Sequence, residues 1–194
     1  MSGRLFEEAP RRGLNARQAE TVEKLLAAGL EELREVGHEA LTVRTVAQRA
    51  GVSPATAYTY LSSKNHLFAE LFWRRLADKD QVVLDDPDVA VRLRATISAL
   101  ANRIVGEPEL AAAVTPALLG SDPDVERLRL RIGGEFVRRF ETALAQDGKP
   151  ADRAVLDVLV LSWSGALLQA GMGIVEYADL ADTLGSVVEV VLRS

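Results

Sequence analysis

The chain has 194 residues, 48% of them apolar, enough to bury one sizeable core, and a formal net charge of −5. It contains no cysteine, which excludes disulfides, thiolate chemistry and cysteine-ligated metal sites. The N-terminal stretch MSGRLFEEAPRRGLNAR lacks the apolar run of a secretory signal, so a cytoplasmic protein is expected.

Charge is unevenly distributed: residues 1–77 hold 11 Lys/Arg and 9 Asp/Glu, residues 78–194 hold 12 and 19. A slightly basic N-terminal part on an acidic remainder fits a small phosphate-facing module joined to a larger body. Ala, Leu, Val, Arg and Glu recur at spacings of three and four without sustained alternation. The expected fold class is therefore all-α, with about nine helices.

Arg4, Arg11 and Arg12 fall in an arm over residues 1–14. Asn15 can cap a first helix, with Gln18 three residues on; Val22, Leu26, Gly29 and Leu33 then share a face, with Leu25 and Leu30 beside them, and Gly37 is the stop. Thr42 caps a short helix to Ala50. Gly51 ends it, Ser53 caps the next, and Pro54 takes that helix's first position, where a missing N–H costs nothing. This third helix runs to Tyr60, and Ser62 or Ser63 opens a fourth through Leu67, Leu71 and Leu76 to near Val83.

Asp86-Pro87 opens a helix carrying Val91, Ile97, Leu100 and Ile104, and Pro108 opens a short one ending near Leu119-Gly120. Ser121-Asp122-Pro123 starts a long one through Leu128, Ile132, Phe136, Phe140 and Leu144, stopped by Asp147-Gly148. An apolar segment follows to about Tyr177, and Asp179 begins a last helix through Leu184, Val188 and Val191.

Residues 42–60 carry the functional signal. Two helices that cross tightly need a small residue at their closest approach, which Ala47 supplies, and a turn residue that tolerates positive φ four positions on, which Gly51 supplies. Val46, Ala50, Val52 and Ala57 would form the buried seam. Ser53 would then start a second helix whose N-terminal end offers free N–H groups to phosphate or base edges. Two ordinary core helices joined by a glycine turn would show the same spacing.

The stretch LTVRTVAQRAGVSPATAYTYLSSKNHLFAELF resembles the DNA-binding segment of TetR-family regulators. The resemblance is carried by Thr42, Gly51-Val52-Ser53, Thr56-x-Tyr58-x-Tyr60 and Ser63-Lys64, and it spans roughly residues 17–72. It implies a DNA-binding domain over residues 1–62 and a ligand-binding and dimerisation domain over 63–194. It further implies phosphate contacts from Thr42, Thr56, Tyr58 and Lys64, and base or sugar-phosphate contacts from Arg44, Ala55, Thr59 and Tyr60. Arg49 is expected on a solvated face. Pro54-Ala55 and Leu61 depart from the family's pattern, and the first pair removes one hydrogen-bonding reader of bases.

In the body, Val158 to Val175 is uncharged over eighteen residues, long enough for a membrane span. Ser162, Ser164, Gln169 and three glycines lower its hydropathy, and no basic flank fixes an orientation, so no membrane is expected. A helix apolar all round is otherwise buried all round. The resemblance implies a homodimeric four-helix bundle from about 151–176 and 179–192, with Gly165, Ala166, Ala170, Gly173, Val188 and Val191 at the interface; Gly171 belongs to the same small-residue set.

Trp73, Ile97, Leu100, Ile104, Leu118, Phe136, Phe140, Trp163 and Leu167 are large and apolar on helices that the family places around a ligand cavity. They point to a hydrophobic small-molecule effector, with Asn102, Thr115 and Gln169 as orienting groups. His38 and His66 lie on different helices, and Asp85, Asp86 and Asp88 cluster beside Pro87 as cap residues. No metal, cofactor or catalytic activity is expected. The reading is a repressor released from a palindromic operator; a helical sensor or carrier without DNA binding, and an activator on the same fold, are the rival readings.

Overall fold

The computed structural model describes residues 16–77, 84–145 and 150–193. Among these, the chain forms nine α-helices and no strand: α1 Ala16–Ala40, α2 Val43–Arg49, α3 Pro54–Tyr60, α4 Lys64–Ala77, α5 Val89–Val105, α6 Pro108–Leu119, α7 Pro123–Leu144, α8 Arg153–Gly171 and α9 Leu180–Arg193. The arm, the Asn15 cap and the Asp147-Gly148 stop lie outside the described residues.

The helix boundaries follow local chemistry. In α1 the helical backbone breaks at Gly37 (φ 75°), leaving one further turn to Ala40. Thr42 caps α2 by accepting from the Thr45 N–H, while the Thr45 hydroxyl accepts from the Thr42 N–H, so two helix-end donors are satisfied reciprocally. Gly51 (φ 68°) turns the chain, and the Val52 N–H reaches back to the Ala47 carbonyl at 3.0 Å. Ser53 caps α3 through the Thr56 N–H. Val46, Ala47 and Ala57 are fully buried in this seam, with Ala50 and Val52 half-buried at its rim.

Helix α4 joins this module to the rest. Ser63 Oγ accepts from the His66 N–H and donates to Asp122 Oδ2 at 2.7 Å, so one hydroxyl caps α4 and reaches the N-cap residue of α7. Gly29 on α1 faces Leu67: a Cβ at that glycine would lie 2.8 Å from a Leu67 methyl. At the other end of α4, Arg139 of α7 donates to the Leu76 carbonyl. A cation thus meets a carbonyl in the last described turn of α4, as a helix dipole favours near a C-terminal end.

Glu107, 4% exposed at the N-cap position of α6, is one of the buried charges among the described residues. Arg34 of α1 grips it with two N–H groups, and Arg75 of α4 forms an ion pair with the same carboxylate at 2.9 Å. Buried Arg92 of α5 is held differently, by the carbonyls of Ala143 (3.0 Å) and Ala145 (3.1 Å) at the end of α7 and by that of Asp86 (2.6 Å).

The uncharged run 158–175 does not continue as one helix. Helix α8 ends at Gly171, and Gly173 (φ 71°) turns the chain toward a 3-10 turn at Tyr177–Asp179 before α9. By length and composition α8 could cross a membrane, but Leu156, Leu159, Trp163, Ala166 and Ala170 are packed inside the protein. Trp163, 0% exposed, stands edge-on to Phe136 and Phe140 at centroid distances of 5.4 and 6.0 Å. The apolar core runs without a break from Leu25 of α1 to Val188 of α9.

Two outcomes test these assignments in the folded chain. Gly51→Ala forces a β-carbon into the left-handed region and should cost about 1–2 kcal/mol in urea unfolding. Trp163→Ala empties the centre of the aromatic cluster and should cost roughly 3–5 kcal/mol, read as a lower midpoint with the helical circular-dichroism signal kept.

Candidate nucleic-acid interface

The residues singled out on α2 and α3 form one outward surface. Thr42, Arg44, Ala55, Tyr58 and Thr59 are exposed, Tyr58 at 55%. Thr56 and Tyr60 are half-buried, and Tyr60 also packs against the core. Two hydroxyls already have protein partners. Thr56 Oγ1 lies 2.8 Å from Ser53 Oγ, and Thr59 Oγ1 donates to the Ala55 carbonyl at 3.0 Å. Helix α3 carries no charged side chain, so it offers an apolar and hydroxylic surface with its positive end at Ser53.

Lys64 has a structural part. Its amine donates to the carbonyls of His38 and Glu39, both at 3.1 Å, and so closes the frayed end of α1. An ammonium has three donors, which leaves one for an external acceptor.

Arg49 is not simply on a solvated face. It donates from Nε to buried Glu32 at 2.7 Å and from Nη2 to Glu35, which fastens α2 against α1. The hydrogen bonds it donates to Glu35 and Glu32 hold its guanidinium pKa above the ordinary arginine value. The sequence pattern missed this because the partners lie a full helix away; the acidic spacing Glu31, Glu32 and Glu35 was the available signal.

Residues of α1 also join the surface. Arg17, Gln18 and Thr21 face Ser53, Thr56 and Tyr60 across an open groove floored by Val52. Their spacing puts all three on one helix face, a pattern present in the sequence but overshadowed by the turn motif. The groove combines a cation, hydroxyls and the start of α3, the groups that commonly receive a backbone phosphate.

In the body, the proposed pocket residues are packed against one another. Ile97, Leu100, Ile104, Phe136, Phe140 and Trp163 are buried, Leu167 is half-buried, and half-buried Trp73 and Leu118 pack around Ala69, Val125 and Leu128. The Arg131 guanidinium lies 4.4 Å from the Trp73 ring centroid. Among the described residues the space enclosed beside Leu100, Ile104 and Phe136 is about 10 Å³, room for one water. Asn102 and Gln169 are exposed, and Thr115 faces the Tyr177 hydroxyl at 3.5 Å rather than the interior cluster.

The residues expected at the dimer face divide in two. Ala166, Ala170 and Val188 turn into the protomer's own core, because the apolar face of an amphipathic helix is claimed first by its own neighbours. Gly171 likewise meets Thr115, where a Cβ would lie 2.5 Å from its methyl. Gly165 has open space where a side chain would stand, Gly173 is an exposed turn residue, and Val191 is half-buried. The outward stripe of α8 is Val158, Leu161, Gly165, Leu168 and Met172, with Leu161 at 72% exposure.

Comparison with known proteins agrees with this geometry. Residues 25–71 match the model of the family described as bacterial regulatory proteins, tetR family. An uncharacterized HTH-type transcriptional regulator of Mycobacterium tuberculosis is 44% identical over 180 residues, covering 92% of this chain and 83% of that protein. The HTH-type transcriptional repressor KstR of Rhodococcus jostii is 27% identical over 178 residues, covering 90% and 84%. The crystal structure of a TetR transcriptional regulator from Rhodococcus sp. RHA1 superposes with a TM-score of 0.72 at 20% identity, covering 91% of this chain and 97% of that one. The chain belongs to the tetR family of bacterial regulatory proteins and is a helix-turn-helix transcriptional regulator.

Proposed function

We propose that the chain acts as a homodimeric repressor that leaves a near-palindromic operator when a hydrophobic small molecule enters its helical body. The observation that carries this reading is the surface built by α1, α2 and α3. The Gly51 turn sets α3 outward with its positive end, Tyr58 and Thr59 exposed beside Arg44 and the Arg17 groove. Phosphate contacts fall to Thr42, Thr56, Tyr58 and the remaining donor of Lys64. Arg44, Ala55, Thr59 and Tyr60 stand nearest the base edges. The name of the Rhodococcus jostii relative, a repressor, supports the direction of control.

Dimerisation is supported by the outer faces of α8 and α9. Val158, Leu161, Gly165, Leu168 and Met172 recur at alternating spacings of three and four, the seam of a helix that packs on another helix. Thr183, Ser186 and Val190 continue the same spacing on α9, with Val190 71% exposed. A stripe of this kind left bare in one protomer is suited to a second copy, and a two-fold axis would set two α3 helices one DNA turn apart. Effector binding in the body then favours a separation that no longer fits, by as much as its affinity differs between the two states.

Fluorescence anisotropy with the DNA upstream of the gene tests the contact surface. Arg44→Ala should weaken operator binding about tenfold and lower the slope of log affinity against log salt by about 1. Unchanged affinity and slope would remove Arg44 from the contact surface. Leu161→Glu buries a charge in the proposed seam and should convert the dimer to a monomer in sedimentation. A dimer of unaltered stability would place the interface elsewhere.

A further inference from the structure

We infer that Asp122 is a positioning residue for DNA reading: from the body it fixes the corner between α3 and α4, and with it the angle at which α3 faces DNA. A helix-turn-helix regulator needs that corner held with or without an effector, so the role of Asp122 is independent of the effector reading above.

Asp122 stands at the head of α7, and its two oxygens serve two helices. Oδ1 accepts from the Asp124 N–H at 2.9 Å and caps α7. Oδ2 accepts from the Ser63 hydroxyl at 2.7 Å, 59 residues away in sequence. A capping hydroxyl receives a helix N–H on a lone pair, which leaves its own proton free. Ser63 takes the His66 N–H of α4 at 3.0 Å in this way and gives its proton to Asp122. One carboxylate therefore sits between the N-terminal ends of α4 and α7, where both helix dipoles favour a negative charge.

The α3 side of this contact has no slack. Leu61, the C-cap residue of α3, is 2% exposed, and its N–H still bonds to the Ala57 carbonyl. Ser62 alone separates Leu61 from Ser63, and its N–H is taken by His66 Nδ1 at 3.2 Å. A shift at Ser63 is thus passed to α3 and not absorbed by a linker.

The body side is equally stiff. Arg129 of α7 donates to the carbonyl of Gly120, the C-cap residue of α6, two positions before Asp122. Ala69 of α4 with Val125 and Leu128 of α7 form an apolar cluster of their own, with Leu118 of α6 against it. Glu107, at the opposite end of α6, holds α1 through Arg34. A module held at one point can still turn about it; a second contact beyond the far end of α6 removes that freedom.

Asp122→Ser separates this role from capping. Serine caps a helix about as well as aspartate, but its single oxygen, on a shorter stem, is committed to the cap. The substitution therefore keeps α7 and cuts the link to Ser63. Amide hydrogen exchange of the full chain, read by mass spectrometry, follows the corner without DNA. In Asp122→Ser, residues 53–62 should exchange about tenfold faster, the change expected when a hydrogen bond to a charged acceptor is lost. Helices α7 and α8 should keep wild-type protection, with the helical signal unchanged. Ser63→Thr, which retains a hydroxyl, should match wild type. Ser63→Ala should loosen the corner, and adding Asp122→Ser to it should loosen it no further. In anisotropy, Asp122→Ser should bind the duplex upstream of the gene about tenfold more weakly, while a random duplex of equal length is held no less tightly, because no cation has been removed.

The role of Asp122 is overturned if residues 53–62 exchange in Asp122→Ser as in wild type, if protection falls alike throughout the chain, or if the two substitutions add. Equal weakening on upstream and random DNA overturns it as well. A wild-type chain that does not prefer the upstream duplex to the random one counts against the repressor reading instead, and the exchange results still decide the role of Asp122.

Discussion

The Glu107 carboxylate is the constraint on which the arrangement of the molecule depends. It is buried at the start of α6, and it holds α1 through Arg34 and α4 through Arg75. Hydrogen bonding to Glu107 raises the Arg34 pKa above its ordinary value. Breaking such a pair by removing one member leaves a buried charge unanswered, which costs far more than the intact pair contributes. The direction in which α1 and the recognition surface face is therefore fixed by a polar contact at the edge of the body, and hydrophobic packing fills in around it.

Several arginines that composition would assign to DNA are occupied in holding helices. Arg49 fastens α2 to α1, Arg92 closes the end of α7, and Arg139 closes the end of α4. Glu135 receives both Arg138 and Arg139; burial raises its pKa, but those two hydrogen bonds outweigh burial and leave it below the usual carboxylate value. With Arg49 committed and α3 uncharged, Arg17, Arg44 and the remaining donor of Lys64 are the described cationic groups on the candidate surface. The modest basic excess of residues 1–77 thus understates how much of the charge is internal and overstates what faces outward.

Most of the element order was legible because each boundary is written in local chemistry. Thr42, Ser53, Pro108, Asp122 and Pro123 stand at or beside the starts their types favour, and Gly37 and Gly51 have the positive φ that their stops require. What was not legible depends on partners far along the chain. Nothing in the neighbourhood of Arg49 or Lys64 announces Glu32 or the His38 carbonyl. A large apolar residue beside a cavity and one filling it have the same sequence signature, so Leu100, Ile104 and Phe136, which border a small space, read no differently from Ile97 and Phe140. Which stripe of α8 turns inward was not legible for a similar reason: in a helix apolar all round, periodicity does not distinguish the faces. Ala166 and Ala170 turn inward, while Leu161 and Gly165 do not.

The core that runs unbroken from Leu25 to Val188 has a consequence for modular engineering. Gly29 sits against Leu67, and Phe68 is buried, so α1 is completed by the first turns of α4 and not by α2 and α3 alone. A chimera that transplanted only the recognition segment would leave α1 facing a foreign helix in place of Leu67 and a foreign residue in place of Glu107. Swaps that keep α1 through α4 together, with the carboxylate that receives Arg34, preserve the joint. Exchange of specificity between relatives is therefore constrained at the joint that packs α1 against α4 and ties it to the start of α6.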